Sequence, residues 1–314
     1  MSYKAKAPGS LMLLGEYAVL YGRPALVCAV DRTITVTLTP RADNRIHIFS
    51  SLHGEYVTDL SQLQIEKPFQ FVLAVLMANQ HQLKHGWDIT IYSEMTDQLG
   101  LGSSSAVTVA TLTALQTALQ QELSPQELVK QGVAIVRRVQ GVGSGADIAA
   151  AVYGGMVSYQ AEPLSIEKIP VLHPLVALYA GFKTATVTAI KRVQDHFSSQ
   201  PVLLQRILDG IGQCALEGIA FARQQDWTQL GNIMNVQQGF METLGVNTLL
   251  LQTMVDYLRQ QPGLVGAKIS GSGLGDCVIG LGRLQANNEE KPLPAGVSWV
   301  PVAMTLQGVQ CEKI

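Results

Sequence analysis

The chain has 314 residues, of which 47% are hydrophobic and 15% charged, and its formal net charge is −2. This length allows a large core and leads us to expect two domains, while the composition excludes a disordered chain. Because the sequence contains no basic run, nucleic acid is disfavoured as the main ligand, whereas a small anion needs only local positive groups.

The cysteine pattern predicts a reducing environment. Cys28, Cys214, Cys277 and Cys311 lie far apart, with neither a CxxC pair nor a His/Cys metal-binding spacing. Such cysteines are expected to be free thiols. The N-terminal residues lack the apolar segment of a signal peptide, and no apolar run is long enough to span a bilayer. We therefore expect a cytoplasmic protein with no membrane partner.

Hydrophobic periodicity predicts strands and helices in mixed order. Strand patterns occur at residues 24–40, 45–57, 87–93, 156–160, 175–180, 265–270 and 276–282. Helical patterns occur at 68–85, after the glycine–serine segment at 100–105, from Pro125, after Gly145, and near 201–224, 226–244 and 247–261. This mixture favours an α+β fold over a doubly wound parallel sheet.

The segment 161–174 contains three prolines and no helical pattern, which predicts a domain boundary. We therefore expect an N-terminal domain at 1–170 and a C-terminal domain at 171–314.

A glycine–serine segment directly precedes the second helical pattern. Its residues are Gly100, Leu101, Gly102, Ser103, Ser104 and Ser105. The unpaired N–H groups and positive dipole end of a helix N-terminus favour an anion such as phosphate. The glycines allow close backbone approach, and Ser103 or Ser104 can offer a hydroxyl to a phosphate or its metal. The alternative is a serine N-cap after a glycine turn.

Two further glycine-rich segments occur at 6–17 and 268–277. Each alone is typical of a tight turn, but three in a charge-poor chain favour a shared phosphate site. The chain contains neither a P-loop pattern nor a well-supported Rossmann fingerprint. Asp147 follows a fourth glycine-rich stretch, at 141–145. Its residue chemistry predicts either a helix N-cap, which is slightly favoured, or a base that deprotonates a hydroxyl attacking a phosphoryl group.

Together these segments resemble the GHMP kinases, the family of galacto-, homoserine, mevalonate and phosphomevalonate kinases. Residues 6–25, 100–106 and 268–277 are similar to its first, second and third motifs. The resemblance implies a two-domain α+β fold, with an N-terminal half like domain 2 of ribosomal protein S5 and a ferredoxin-like C-terminal half. It also implies the use of ATP and Mg²⁺, and transfer of a phosphoryl group to a small-molecule alcohol substrate.

The resemblance further implies roles for individual residues. Asp147 falls on the catalytic aspartate and Ser104 on the serine that binds Mg²⁺. Lys183 lies in a segment similar to one that supplies donors near the substrate, and residues 100–105 correspond to the loop that binds the nucleotide. The residues expected to contact the substrate are Glu16, Tyr17, Ser144, Gly271, Ser272 and Gly273.

Three positions depart from the family pattern. Ser10 replaces a lysine in the catalytic centre, Val136 a metal-binding glutamate, and Tyr17 a histidine. Lys6 or Lys183 would have to supply the missing charge. Mg²⁺ would be held by Ser104, the nucleotide phosphates and water, which is ordinary for this ion.

The acceptor remains open between two subgroups. Residues 16–26 and 230–246 resemble mevalonate kinases, which we favour, whereas 143–149 and 275–277 resemble phosphomevalonate kinases. Arg137 and Arg138 would serve a phosphorylated acceptor, or else form a solvated helix end. Further alternatives are a nucleotide-binding protein without turnover and a relative of the phosphomevalonate decarboxylases. The oligomeric state is open, with a homodimer as one option.

Overall fold

The computed structural model describes residues 1–95, 99–285 and 292–314. Its larger sheet has the strand order β12-β1-β2-β5-β3-β4, and β6 extends it by pairing with β2 and β7. The strands are β1 (Tyr3–Leu14), β2 (Ala25–Pro40), β3 (Arg45–Ser50), β4 (Gly54–Asp59), β5 (Trp87–Ser93), β6 (Met156–Gln160), β7 (Ser165–Ile169) and β12 (Gln310–Lys313). All pairs are antiparallel except β3 with β5.

Four helices cover this sheet. They are α1 (Gln70–Ala78), α2 (Ser103–Ala118), α3 (Pro125–Gln140) and α4 (Ala146–Tyr153). Helices α2 and α4 pack directly on β1 and β2, while α1 and α3 pack against α2. The predicted capping box starts α3: Ser124 Oγ accepts from the Glu127 N–H, and the Glu127 carboxylate accepts from the Ser124 N–H.

The smaller sheet is antiparallel, with the order β11-β8-β10-β9. Its strands are β8 (Leu175–Tyr179), β9 (Leu264–Ser270), β10 (Cys277–Gly282) and β11 (Ser298–Val300). The helices of this half are α5 (Thr186–His196), α6 (Pro201–Gln224), α7 (Trp227–Thr243) and α8 (Leu249–Arg259). Helices α7 and α8 pack on β9, and α6 also reaches β1 and β2, so it joins the two halves.

The α+β class predicted from the sequence is confirmed. One local prediction was wrong, because residues 45–57 form two strands with a turn between them. Strands β1, β7, β11 and β12 and helix α5 were not predicted, and β7 lies within the segment 161–174 that is expected to be a domain boundary. The last strand, β12, pairs with β1 and thus lies on the first sheet, although the predicted boundary assigns it to the second domain. No described helix is long and apolar enough to cross a membrane.

Candidate active site

A cavity of about 820 Å³ lies where the two halves meet. It is bordered by the end of β1, the start of α2, the loop between α3 and α4, the start of α5 and the loop between β9 and β10. The predicted site residues that line it are Ser10, Glu16, Tyr17, Gly100, Gly102, Ser103, Ser104, Ser105, Ser144, Asp147, Lys183, Gly271 and Ser272. Segments far apart in sequence therefore meet at one space.

Helix α2 points its N-terminus into this cavity without a side-chain cap. Its N-cap residue is Gly102, at φ +67°, and no side chain of the described residues bonds to this end. The alternative interpretation of this segment as a serine N-cap is therefore wrong. Ser103 and Ser104 instead line the cavity, beside N–H groups that have no partner within the helix. This end has the arrangement expected for anion binding.

The glycine segment is held tightly against β1. The Ser10 N–H donates to the Leu101 carbonyl at 2.9 Å, and Leu101 is buried in the core. A Cβ on Gly102 would lie 2.2 Å from Ser10 Oγ, which is closer than any side chain can approach. Gly102 is therefore required both by its positive φ and by the contact with Ser10.

Asp147 faces the same cavity from the first turn of α4. Gly145 is the N-cap of that helix, so the slightly favoured N-cap interpretation of Asp147 was wrong. Its Oδ1 instead accepts a hydrogen bond from Ser10 Oγ at 2.8 Å. Burial raises the pKa of Asp147, while the Ser10 bond and the charge of Lys183 act in the opposite direction.

A second carboxylate, Asp276, borders the cavity beside the glycine segment. It is 7% exposed and has a backbone φ of +73°. A Cβ on Gly100 would lie 1.8 Å from Asp276 Oδ1, so the carboxylate packs directly on that glycine. Burial raises the pKa of Asp276 to about 6, the charge of Lys183 lowers it, and the charge of Asp147 raises it. The charge of Lys183 thus acts on both carboxylates.

Glu16 belongs to a buried ion pair that joins the halves. Its Oε1 pairs with Lys268 Nζ, its Oε2 accepts from Gln237 Nε2, and Lys268 is fully buried in β9. Burial lowers the pKa of Lys268, and the neighbouring Glu16 charge opposes that effect. Both polar atoms of the Gln237 amide are bonded, because its Oε1 accepts from the Gly15 N–H at 3.0 Å.

The loop between β9 and β10 is tied to the first half by Tyr17. The Tyr17 hydroxyl donates to the Ser272 carbonyl at 2.6 Å. Gly273, in contrast, is not among the described residues that line the cavity. It packs on the α7–α8 connection, where a Cβ would lie 2.6 Å from the Val246 carbonyl oxygen. Of the residues expected to bind substrate, Gly273 is thus the one the structure places elsewhere.

Comparison with known proteins settles the family. Residues 69–155 match the GHMP kinases N terminal domain, and residues 217–293 match the GHMP kinases C terminal domain. A mevalonate kinase of Thermococcus sibiricus is 31% identical, with 100% of this chain and 99% of that protein aligned. The chain belongs to the GHMP kinase family. It is therefore an ATP-dependent phosphotransferase, as the resemblance of the motifs implied.

Solved structures confirm the fold of this GHMP kinase. A protein from Listeria innocua superposes with a TM-score of 0.84 at 24% identity, covering 100% of both chains. The mevalonate kinase of Methanococcus jannaschii superposes with a TM-score of 0.75 at 23% identity, covering 89% of this chain and 90% of that one.

Part of the cavity wall of this GHMP kinase is apolar. It includes Val133, Val136, Val139, Val142 and Ile190. The neighbouring Arg137 and Arg138 are exposed and are not among the described residues that line the cavity. Arg137 Nε instead donates to the Gly143 carbonyl at 2.9 Å, which holds the α3–α4 loop. The position of Arg137 agrees with the interpretation of this pair as a helix end.

Sequence reasoning missed Asp276, which lines the cavity, and Lys268, which pairs with the cavity residue Glu16. Both lie in the third motif, where Gly271, Ser272 and Gly273 were taken as the functional part. Lys268 had a recognisable signal, since a lysine inside the apolar run Ala267–Ile269 requires a buried partner. The contact between Asp276 and Gly100 had no signal in the sequence.

Proposed function

We propose that this GHMP kinase transfers the γ-phosphate of ATP to a hydroxyl of mevalonate. The observation that carries the proposal is that one cavity holds both the uncapped N-terminus of α2 and the Asp147 carboxylate with its Ser10 partner. Phosphoryl transfer needs these two features, a cradle for phosphates and a group that positions and activates the acceptor. Similarity to the Thermococcus sibiricus mevalonate kinase over the whole chain supports the choice of acceptor.

The nucleotide is proposed to lie across the start of α2. Its phosphates would accept hydrogen bonds from the backbone of residues 100–105. A second cavity, of about 350 Å³, adjoins this loop and shares Ser103 and Ser104 with the first. Its walls include the apolar side chains of Ile34, Ile91 and Val107, which suits an adenine ring. The two cavities together give space for both ends of ATP.

Asp147 is proposed to orient the acceptor hydroxyl and to take its proton. Because Oδ1 already accepts the Ser10 hydrogen bond, Oδ2 is the oxygen left for the substrate. The hydroxyl oxygen then bonds to the γ-phosphorus, the bond from that phosphorus to the bridging oxygen of ADP breaks, and the proton resides on Asp147. Lys183 supplies positive charge at this centre, where Ser10 cannot replace the family lysine.

The cavity also suits Mg²⁺, which prefers oxygen ligands. The Ser104 hydroxyl lines it, and the buried Asp276 Oδ1 lacks a hydrogen-bond partner among the described residues. Ser104 is proposed to hold the ion together with the nucleotide phosphates. When bound, the metal neutralises charge on the transferring phosphoryl group.

The cavity wall carries few cations for the additional phosphate of 5-phosphomevalonate, which favours mevalonate. Among the described residues that line the cavity the basic ones are Lys67 and Lys183, and neither Arg137 nor Arg138 belongs to them. The serine loop and the Ser10–Asp147 pair likewise favour a working kinase over a nucleotide-binding protein without turnover. The cytoplasmic location and the homodimer stay predictions.

The test follows ADP release by the purified protein with ATP and Mg²⁺. Mevalonate, 5-phosphomevalonate, homoserine and galactose are offered separately at equal concentration. We expect the highest kcat/KM with mevalonate and no release of carbon dioxide. A preference for 5-phosphomevalonate would overturn the acceptor, carbon dioxide release would indicate a decarboxylase, and nucleotide binding without turnover would indicate a binding protein.

A further inference from the structure

Asp276 is a buried carboxylate that its surroundings leave incompletely paired. Its side chain is 7% exposed, and among the described residues its Oδ1 has no hydrogen-bond partner. Burial of a carboxylate without a partner is costly, so such a group is expected to meet a cation in the working protein. Its backbone is fixed on both sides, because its N–H donates to the Phe182 carbonyl at 2.8 Å and its carbonyl accepts from the Ala180 N–H at 2.9 Å.

The position of Asp276 directs that cation to the phosphates. The carboxylate packs on Gly100, the first glycine of the segment proposed to hold the nucleotide. Gly102, two residues further on, contacts the Ser10 hydroxyl that is bonded to Asp147. The two aspartates therefore border the same short stretch of backbone, and both line the cavity.

The other acidic side chains that line this cavity are already engaged. Within the described part of the chain they are Glu16 and Asp147. Glu16 is paired with Lys268 and Gln237, and Asp147 accepts from Ser10. Val136, where the family resemblance implies a metal-binding glutamate, presents an apolar side chain to the cavity. Helix α3 thus offers no carboxylate from that position.

We infer that Asp276 is a ligand of the divalent cation that accompanies ATP and supplies the carboxylate that is absent at Val136. Mg²⁺ in such sites is commonly held by one or two carboxylates together with substrate phosphates. With Ser104, Asp276 would complete a set of oxygen ligands contributed by both halves of the molecule. This inference rests on the proposed binding of ATP in the cavity and is independent of which alcohol is the acceptor.

The test measures metal binding without turnover. Isothermal titration calorimetry gives the affinity for ADP with and without Mg²⁺, and electron paramagnetic resonance counts Mn²⁺ bound beside ADP. We expect Asp276→Asn to lose about tenfold or more of the Mg²⁺-dependent gain in ADP affinity, with little change in metal-free affinity. Asp276→Gly is the second variant, since asparagine and glycine both tolerate the backbone at φ +73°.

Asp147→Asn is the matched control, because it removes the same charge from the same cavity. It should keep the Mg²⁺-dependent gain. If Asp276→Asn and Asp276→Gly fold, bind ADP and keep the full gain, Asp276 is not a metal ligand and instead acts on Lys183. Failure of the unaltered protein to bind ADP would overturn the proposed function together with this inference.

Discussion

The Ser10 hydroxyl and the Asp147 carboxylate form the pair on which the proposed chemistry depends. Ser10 is 1% exposed and its hydroxyl donates to Asp147 Oδ1 at 2.8 Å. A serine carries no positive charge, but its hydrogen bond orients the carboxylate and stabilises the ionised form. Under the proposed function Lys183 supplies the charge that the family lysine would provide, and its charge lowers the pKa of Asp147 from the other half of the molecule.

Asp147→Asn should lower kcat by about 10²–10⁴-fold, because an amide cannot take the proton of the acceptor hydroxyl. The affinity for ADP should stay nearly unchanged, since Asp147 is not part of the α2 phosphate cradle. Steady-state kinetics and calorimetry check the two halves of this prediction. Full activity in the variant would remove Asp147 from the chemistry.

Ser10→Ala should move the acidic limb of the kcat/KM profile to higher pH. The Ser10 bond lowers the pKa of Asp147, so its loss raises that pKa, and a higher pH is then needed to ionise the carboxylate. Ser144→Ala, which removes a cavity hydroxyl that is bonded to the Ala146 N–H, should leave the limb in place. Identical profiles for Ser10→Ala and the unaltered protein would contradict this role.

At the scale of elements, α2 shows how a helix start is adapted to a ligand. A serine N-cap would use N–H groups of the first turn, whereas Gly102 in the left-handed region leaves them open towards the cavity. Packing favours glycine here as well, because a Cβ at position 102 would lie 2.2 Å from the Ser10 hydroxyl of β1. The same residue thus serves both the fold and the proposed phosphate site.

Gly102→Ala should raise KM for ATP and lower the free energy of unfolding by about 1–3 kcal/mol, since it combines backbone strain with a clash at Ser10. The matched control is Gly239→Ala in the interior of α7, where a Cβ would have nothing within 4 Å. That change should leave KM alone and stabilise the protein by up to about 1 kcal/mol. Urea unfolding measures the free energy of unfolding, and steady-state kinetics measure KM for ATP. Equal effects of Gly102→Ala and Gly239→Ala on these quantities would refute this explanation.

The sequence failed to predict β1 and the division between β3 and β4 for two different physical reasons. Strand β1 packs against α2 and α4 and also contacts α6 and α7. Most of its residues are therefore buried, and its sequence lacks the alternation of polar and apolar residues that indicates a half-buried strand. A turn at residues 51–53 interrupts the strand pattern predicted at 45–57, and the second strand begins at Gly54. By contrast, Ser124 and Glu127 mark the start of α3 through contacts three residues apart, and that prediction was correct.

At the scale of the whole molecule, the two halves are joined through polar contacts behind the cavity. Glu16 follows β1 in the first half, while Lys268 in β9 and Gln237 in α7 belong to the second. The Tyr17–Ser272 hydrogen bond lies beside this group. A buried ion pair adds little net stability over an apolar pair, but it is sensitive to the loss of one partner. The relative position of the halves, and hence the cavity, depends on these contacts.

Lys268→Met should lower the free energy of unfolding by about 3–5 kcal/mol, because Glu16 would remain buried without its cation. The double variant Glu16→Gln with Lys268→Met should recover much of that loss, as neither partner then carries a charge. Urea unfolding of the single and double variants gives the coupling. Additive losses would show that the pair does not interact as described.

The sequence by itself determined the α+β class, most helix and strand positions, and the family motifs. Hydrophobic period, capping pairs and glycine patterns act over a few residues, so they can be read along the chain. Only the tertiary structure decided that Ser10 meets Asp147 across 137 positions, that Lys268 meets Glu16 across 252, and that Asp276 packs on Gly100. These partners come from different elements, and their burial and pairing arise only when the two sheets and their helices pack together.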